Sequence, residues 1–269
     1  MTSFADFDFT AVSLSEAVIA ASLAIRSDFP AENVREQLSA LVVEAREAIS
    51  PQLELDVQLE QLIELFWKQW GFGGAGGVYR LSDALWLDNV LRTREGTAVS
   101  LGTVFLHIAE QLNIPLRPVI FPTQLILMAE WVDEEIWLIN PFDGATLDQH
   151  TLEVWLKGNI GPLAELYDED LQEAETPLVL RKMLDTLKAS LMEEDQMELA
   201  LQVSQVLLQM DPDDPYEIRD RGLIFAYLEC EHVARDDLQY FLEQCPEDPA
   251  SEMIRLQMNS IEQKQVTLH

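Results

Sequence analysis

The strongest constraint that this sequence places on its fold is a change of hydrophobic period at Pro115. From Ala98 to Gln111 the apolar residues follow the spacing of one helix face. Beyond Pro115 short runs rich in Ile, Leu, Val and Trp predict three strands: Leu116–Phe121, Gln124–Trp131 and Glu135–Ile139. Asp133-Glu134 predicts a turn between the last two, and Asn140–Gly144 has the turn residues that end a sheet. The pattern therefore predicts an α+β fold with a small antiparallel sheet.

The chain before these strands is predicted to be mostly helical. Amphipathic spacing indicates three helices within residues 1–70: Ser13–Phe29, Ala31–Ile49 and Leu53–Trp70. The run Gly71–Gly77 is interpreted as a flexible connection, because it lacks the Gly-Lys-Ser/Thr of a phosphate-binding loop. Ser82 is expected to cap a further helix, Asp83 to Arg94, near the start of a core that spans residues 78–161.

The last third of the chain contains an internal repeat. Asp211–Pro215 recurs as Cys245–Pro249 at an offset of 34 residues, and Ala200 and Ala234 share that offset. A period of 34 with small residues at helix crossings and proline in the turns is the tetratricopeptide pattern. It predicts two repeats and a final helix: Arg181–Pro212, Pro215–Pro246 and Ala250–Gln263. A generic helical bundle with a chance coincidence of spacing is the alternative. Lys188 stands where the first repeat would have glycine, so that repeat is degenerate.

This repeat and an acidic connector, Glu165–Glu175, divide the chain into two predicted domains. Residues 1–175 form the α+β domain, and residues 176–269 form an all-α domain that begins near Thr176-Pro177. At 269 residues the chain is long enough for each domain to bury a core.

Composition narrows the classes of partner. The net charge of −31 repels phosphate backbones and anionic lipid surfaces, so neither nucleic acid nor membrane is expected. A protein or peptide partner, including a basic one, fits this charge, although solubility alone also explains it. The two cysteines, Cys230 and Cys245, form no metal-binding motif, so no metal or cofactor is expected. The acidic N-terminus differs from a signal peptide, which predicts a cytoplasmic protein.

The order of helix and strands after Arg94 resembles the core of a transglutaminase-like, or papain-like, domain. In such enzymes a cysteine at a helix N-terminus attacks a carbonyl, a histidine on a strand activates it, and an acid or amide orients the histidine. Here the three positions fall at Ala98, Gln124 and Asn140. Ala98 has no nucleophilic atom, and Gln124 cannot accept a proton at neutral pH. The chain therefore has the layout without the chemistry, and no catalytic residue is assigned.

Ser100 is a weak candidate for an alternative nucleophile. Its closest histidine in the sequence is His107, seven residues further along the same helix. By helix rise the two are about 10 Å apart, too far for direct proton transfer. His107 is therefore expected to be a half-buried helix residue.

Polar and aromatic residues suggest a docking cleft in place of an active site. The candidates are Tyr79, Arg80, Trp86, Gln124 and Asn140. The two amides can hydrogen-bond a peptide without reacting with it. Packing and helix capping are the alternative for the segment near Trp86, which also contains Asp83 and Asp88.

Long motifs carry a resemblance to the bacterial SirB/YchA-type family: VYRLSDALWLDNVL, GTAVSL, FPTQLIL, INPFDG, VWLKGNIG, LDTLKASL and CPEDP. The resemblance covers essentially the whole chain. It implies a transglutaminase-like domain followed by tetratricopeptide repeats and a cytoplasmic location, but no established reaction. Relatives often have G-H-F-L and D-P-F-N-G where this chain has Thr-Gln-Leu-Ile and Asn-Pro-Phe-Asp-Gly, so Gln124 and Asn140 depart from the family's own pattern.

The sequence thus favours a non-catalytic interaction or regulatory protein. A residual amidase, protease or acyl-transfer enzyme that uses Ser100 is the alternative. A regulator that contacts basic proteins is a third hypothesis, supported only by the charge.

Overall fold

The structure is a computed structural model that describes residues 11–77, 80–132 and 135–267. It is mostly helical with a small antiparallel sheet, as the sequence predicts. The helices are α1 Leu14–Ile25, α2 Ala31–Ala48, α3 Leu55–Ile63, α4 Leu87–Thr93, α5 Ala98–Gln111, α6 Gln149–Asn159, α7 Thr176–Glu193, α8 Met197–Met210, α9 Pro215–Tyr227, α10 Glu231–Gln244 and α11 Ala250–Thr267. The strands are β1 Gly73–Gly74, β2 Glu95–Gly96, β3 Leu116–Ile120, β4 Leu125–Glu130, β5 Ile136–Ile139 and β6 Thr146–Leu147.

The described residues form two compact units, the first comprising residues 11–23 and 28–183. Its main sheet has the order β3-β4-β5-β6 with antiparallel pairing throughout, one strand more than the sequence predicts. One face of this sheet and α6 share a buried apolar cluster: Val119, Phe121, Ile126, Met128, Leu138, Leu147, Leu152 and Leu156. The predicted turn at Asp133-Glu134 lies outside the described residues.

Two predicted helices of this unit are interrupted. The helix expected over Leu53–Trp70 is α3 followed by a π-helical segment, Glu64–Gln69. The extra residue per turn accompanies dense aromatic packing, in which the Phe66 ring stacks on Phe72 at 4.2 Å and meets Phe105 edge to face at 5.0 Å.

The helix expected over Asp83–Arg94 is a 3₁₀ turn, Leu81–Ala84, followed by α4. Ser82 lies inside that turn and is not the helix cap. The Ala84 carbonyl accepts hydrogen bonds from Ser100 Oγ at 2.6 Å and Thr97 N at 3.2 Å. In a continuous helix this carbonyl would accept from a later residue of the same helix. Here Thr97 and Ser100, from the next segment of the chain, supply its donors and stabilise the interruption.

The glycine-rich run is partly ordered, which corrects its interpretation as a flexible connection throughout. Gly73–Gly74 forms β1 and pairs in parallel with β2, in a second, two-stranded sheet. The hydrogen bonds are Gly73 N to Arg94 O at 2.9 Å and Ala75 N to Gly96 O at 3.2 Å.

The second unit, among the described residues, comprises 24–27 and 184–267. Its helices pack in sequence order, and Ala234, Leu238, Phe241 and Ile254 form a buried cluster. Gly222 of α9 lies against α10, where an added Cβ would be 3.0 Å from atoms of Asp237 and Leu238. The small residue therefore permits the close helix crossing that the repeat pattern predicts. In the described part of the chain, no helix is long and apolar enough to span a membrane.

Candidate functional site

The first position of the candidate site is the start of α5. Thr97 caps the helix: its side chain accepts from Ser100 N at 3.3 Å, and Ser100 Oγ accepts from Thr97 N at 2.9 Å. Ala98 follows as the first helical residue and is only 6% exposed. The position keeps the helix-terminus geometry that lowers a thiol pKa in cysteine enzymes, but it has only a methyl group.

Gln124 and Asn140 are joined by a hydrogen bond. Gln124 lies immediately before β4 and Asn140 immediately after β5, and Gln124 Nε2 donates to Asn140 Oδ1 at 3.3 Å. The same Oδ1 accepts from Phe142 N at 3.2 Å. Both amides are neutral, so this pair can donate and accept hydrogen bonds but cannot relay a proton.

Close contacts fix the loop that follows Asn140. Trp67 Nε1 donates to Pro141 O at 3.1 Å. Gly144 has φ +73°, and an added Cβ would lie 2.6 Å from Cε3 of Trp67. Glycine is required at position 144, because the backbone is left-handed there and the Trp67 indole leaves no room for a Cβ.

A chain of contacts brings the three positions to one region of the first unit. A Cβ at Gly102, one turn beyond Ala98, would lie 2.6 Å from Leu125, the residue after Gln124. A Cβ at Gly74 of β1 would lie 2.9 Å from the ring of Phe142 in the loop after Asn140, and β1 pairs with β2, which immediately precedes Thr97. The first half of α5, the start of β4 and the loop after β5 therefore lie in one region.

Thr123 is a residue of this region that the sequence did not single out. Its Oγ1 is buried and finds no hydrogen-bond partner within the described structure. A buried hydroxyl without a partner is destabilising, so it marks a place where a bound group would be favoured. Its position beside Gln124 was readable in the sequence, but its burial was not.

Ser100 is placed as a structural residue. It is completely buried, and its Oγ donates to Ala84 O at 2.6 Å. His107 Nδ1 lies 2.9 Å from Ser15 Oγ, and burial lowers the His107 pKa although Glu110 and Glu16 oppose that shift. His107 is half-buried, as expected, and it hydrogen-bonds a different serine.

The remaining cleft candidates are Tyr79, Arg80 and Trp86. Tyr79 lies outside the described residues, and Arg80 is exposed. Trp86 is 4% exposed and precedes α4, which favours the packing alternative for that residue. Among the residues with described positions, no group of three or more His, Cys, Asp or Glu is arranged to hold a metal ion.

Comparisons with known proteins agree with this architecture. A transglutaminase-like superfamily model matches residues 32–185, and a tetratricopeptide repeat model matches residues 187–259, which confirms the repeat over the generic bundle. Protein SirB1 of Salmonella typhimurium is 63% identical over 269 residues, and YchA of Escherichia coli K12 is 62% identical, each over 100% of both chains. A Buchnera aphidicola protein, BU173, is also 62% identical over the full length of both. No solved structure matches the chain. The chain belongs to the transglutaminase-like superfamily, in the SirB1/YchA family of proteins that add tetratricopeptide repeats.

Proposed function

We propose that this protein is a non-catalytic interaction or regulatory protein of the cytoplasm. Its transglutaminase-like core holds a docking cleft at the former catalytic positions, and its tetratricopeptide repeats supply a second docking surface. The partner is a protein or peptide, and no cofactor takes part.

The amide pair is the observation that carries this proposal. A catalytic triad needs a nucleophile, a base and a group that orients the base. Ala98 has no nucleophilic atom, and Gln124 and Asn140 are joined by a neutral hydrogen bond. With the partnerless Thr123 hydroxyl beside them, these groups suit recognition of a peptide backbone, which presents both donors and acceptors.

The repeats support the same function independently. Stacked helical repeats create extended surfaces on which partner segments bind. The repeat model covers residues 187–259, which include the second predicted repeat and all but the first six residues of the first.

The alternative, a residual acyl-transfer enzyme, depends on Ser100. Its hydroxyl is buried, donates to Ala84 O and accepts from Thr97 N. A hydroxyl in this arrangement stabilises the start of α5 and offers no approach to a substrate carbonyl. The bond of His107 to Ser15 also leaves Ser100 without a base.

Activity-based labelling tests this choice. The full chain, a Ser100→Ala variant and a control with the exposed Ser50→Ala change are incubated with a fluorophosphonate probe and, separately, with amine-donor substrates. We expect no labelling and no transfer product from any of the three. Labelling of the wild type and the control that disappears in Ser100→Ala would establish the enzyme alternative.

A further inference from the structure

A groove beside the β4–β5 hairpin is separate from the former catalytic positions. It has a volume of about 280 Å³ and lies between the start of α3 and the end of β4. Its lining within the described structure is Glu54, Leu55, Asp56, Trp131, Val132 and Glu135.

The apolar part of the groove is unusually open to solvent. Val132 is fully exposed, and Leu55 is 41% exposed. Ile136, next to Glu135, is 55% exposed. Trp131 packs edge to face on Trp137, with ring centroids 5.3 Å apart, so the indole is held rigidly at the wall. A rigid aromatic with neighbouring exposed aliphatic residues is typical of a contact surface.

Trp131 also has an unused hydrogen-bond donor. Its Nε1 is buried and donates to no acceptor among the described residues. By contrast, Nε1 of Trp137 donates to Glu135 Oε1 at 3.0 Å. Leaving a buried N–H without a partner costs free energy. Because Nε1 is closed to solvent, an occupant of the groove meets the indole as an apolar wall and not as a donor.

The charge of the groove defines the other feature of its occupant. Three of its lining residues are acidic, Glu54, Asp56 and Glu135, and no basic side chain is among the described lining residues. Their fields add to the chain's net charge of −31. A cationic side chain would neutralise this carboxylate group, while its methylene stem would cover the apolar wall.

We propose that this groove binds an extended, basic segment of a partner protein. An Arg or Lys stem packs on Trp131 and Val132, and its charged end lies among the three carboxylates. The proposal rests on the proposed function, because it assigns one binding surface of an interaction protein, and it adds the chemistry of the partner.

The test uses the full chain and a fluorescein-labelled peptide of alternating arginine and valine, with an alternating glutamate-valine peptide as the probe control. The groove variant is Glu54→Gln/Asp56→Asn/Glu135→Gln. Because any basic peptide is attracted to so acidic a protein, the matched control is Glu47→Gln/Glu193→Gln/Glu247→Gln, which changes the net charge equally at exposed sites. We expect the groove variant to bind the basic peptide about tenfold more weakly than the control variant.

Trp131→Phe supplies a measurement that loss of folding cannot imitate. It removes the unpartnered N–H and shortens the aromatic wall on which the Arg or Lys stem packs, so the midpoint of unfolding is expected to stay or rise while the peptide affinity falls several-fold. Equal weakening in the groove and control variants, or unchanged affinity in Trp131→Phe, would overturn the groove assignment. Neither result touches the proposed function, which fails instead if Ser100-dependent labelling is found.

Discussion

Two regions of this protein hold buried polar groups in opposite ways. In the repeat region Lys188, at a position where the repeat pattern predicts glycine, is 5% exposed, and its Nζ donates to Glu217 at 2.5 Å and Asp220 at 2.8 Å. Ser204 Oγ donates to the other oxygen of Glu217 at 2.5 Å. At Gln124 and Asn140, two neutral amides share one long bond of 3.3 Å, and the hydroxyl of Thr123 has no partner in the described structure.

The two regions thus differ in whether their buried polar groups satisfy one another. The charged groups around Lys188 satisfy one another, so the substitution is absorbed by the fold. The polar groups around Gln124 do not fully satisfy one another, and the region keeps hydrogen-bonding capacity that its own residues do not use. The following predictions test whether the two regions respond to substitution in these two ways.

The largest effect is expected from Lys188→Met. It leaves the buried carboxylate of Glu217 uncompensated, which costs about 3–5 kcal/mol of unfolding free energy. Lys68→Met, which removes the exposed pair with Glu64, is the control and should cost no more than about 0.5 kcal/mol. Chemical denaturation with hydrogen exchange of α7, α8 and α9 measures both. Similar losses in the two variants would show that the buried pair has no special role.

Gly144→Ala is expected to have the next largest effect, about 2–4 kcal/mol, because left-handed strain adds to a clash with Trp67. Gly71→Ala separates these causes, since Gly71 also has φ +73° but nothing lies within 4 Å of its added Cβ. It should lose only the strain, about 1–2 kcal/mol. Thermal unfolding of both variants gives the comparison, and equal losses would remove the packing argument for the loop after Asn140.

Removing one hydroxyl from each region should change stability in opposite directions. Ser204→Ala takes a donor away from buried Glu217 and is expected to cost about 1.5–3 kcal/mol. Thr123→Val replaces a partnerless hydroxyl with a methyl group and should stabilise by about 1 kcal/mol. Unfolding midpoints in denaturant measure the pair. A destabilising Thr123→Val would mean that its hydroxyl is already satisfied.

The smallest effect concerns pH. Burial lowers the pKa of His107 below its usual 6.5, so the folded protein favours the neutral imidazole. The associated stability is present above pH 6.5 and is lost as the pH falls through the lowered folded pKa. His107→Asn keeps a polar group near Ser15 but removes the imidazole, so its unfolding midpoint should change less between pH 7 and pH 5 than that of wild type. The exposed His150→Asn change should not reduce this pH dependence. Identical pH profiles for all three proteins would contradict this role.

The sequence predicts elements well where local pattern and tertiary contacts agree. The helix expected from Ala98 to Gln111 is α5 with the same bounds, because its cap and its apolar face are both local. The helix expected from Asp83 to Arg94 is interrupted, because Thr97 and Ser100 bind the Ala84 carbonyl from outside the segment. The two-residue strands β1 and β2 are likewise defined by pairing across the chain and have no pattern of their own.

The same distinction applies to the candidate site. The order of helix and strands places Ala98 at a helix start and Gln124 and Asn140 at strand ends, which motif spacing alone can do. The amide hydrogen bond, the burial of Ser100 and the partnerless Thr123 hydroxyl depend on packing between segments. The acidic groove at Trp131 joins residues about 80 positions apart, and no local pattern indicates it.

Quantitative capture of partners tests most directly whether the region of Gln124 and Asn140 binds a partner protein. Tagged full-length wild type, Gln124→Leu and the exposed control Gln111→Leu are recovered from cells, and the co-purifying proteins are quantified by mass spectrometry. The account predicts a partner that wild type and Gln111→Leu retain equally and that Gln124→Leu loses. Equal recovery of every partner by all three proteins would contradict a docking cleft at Gln124 and Asn140.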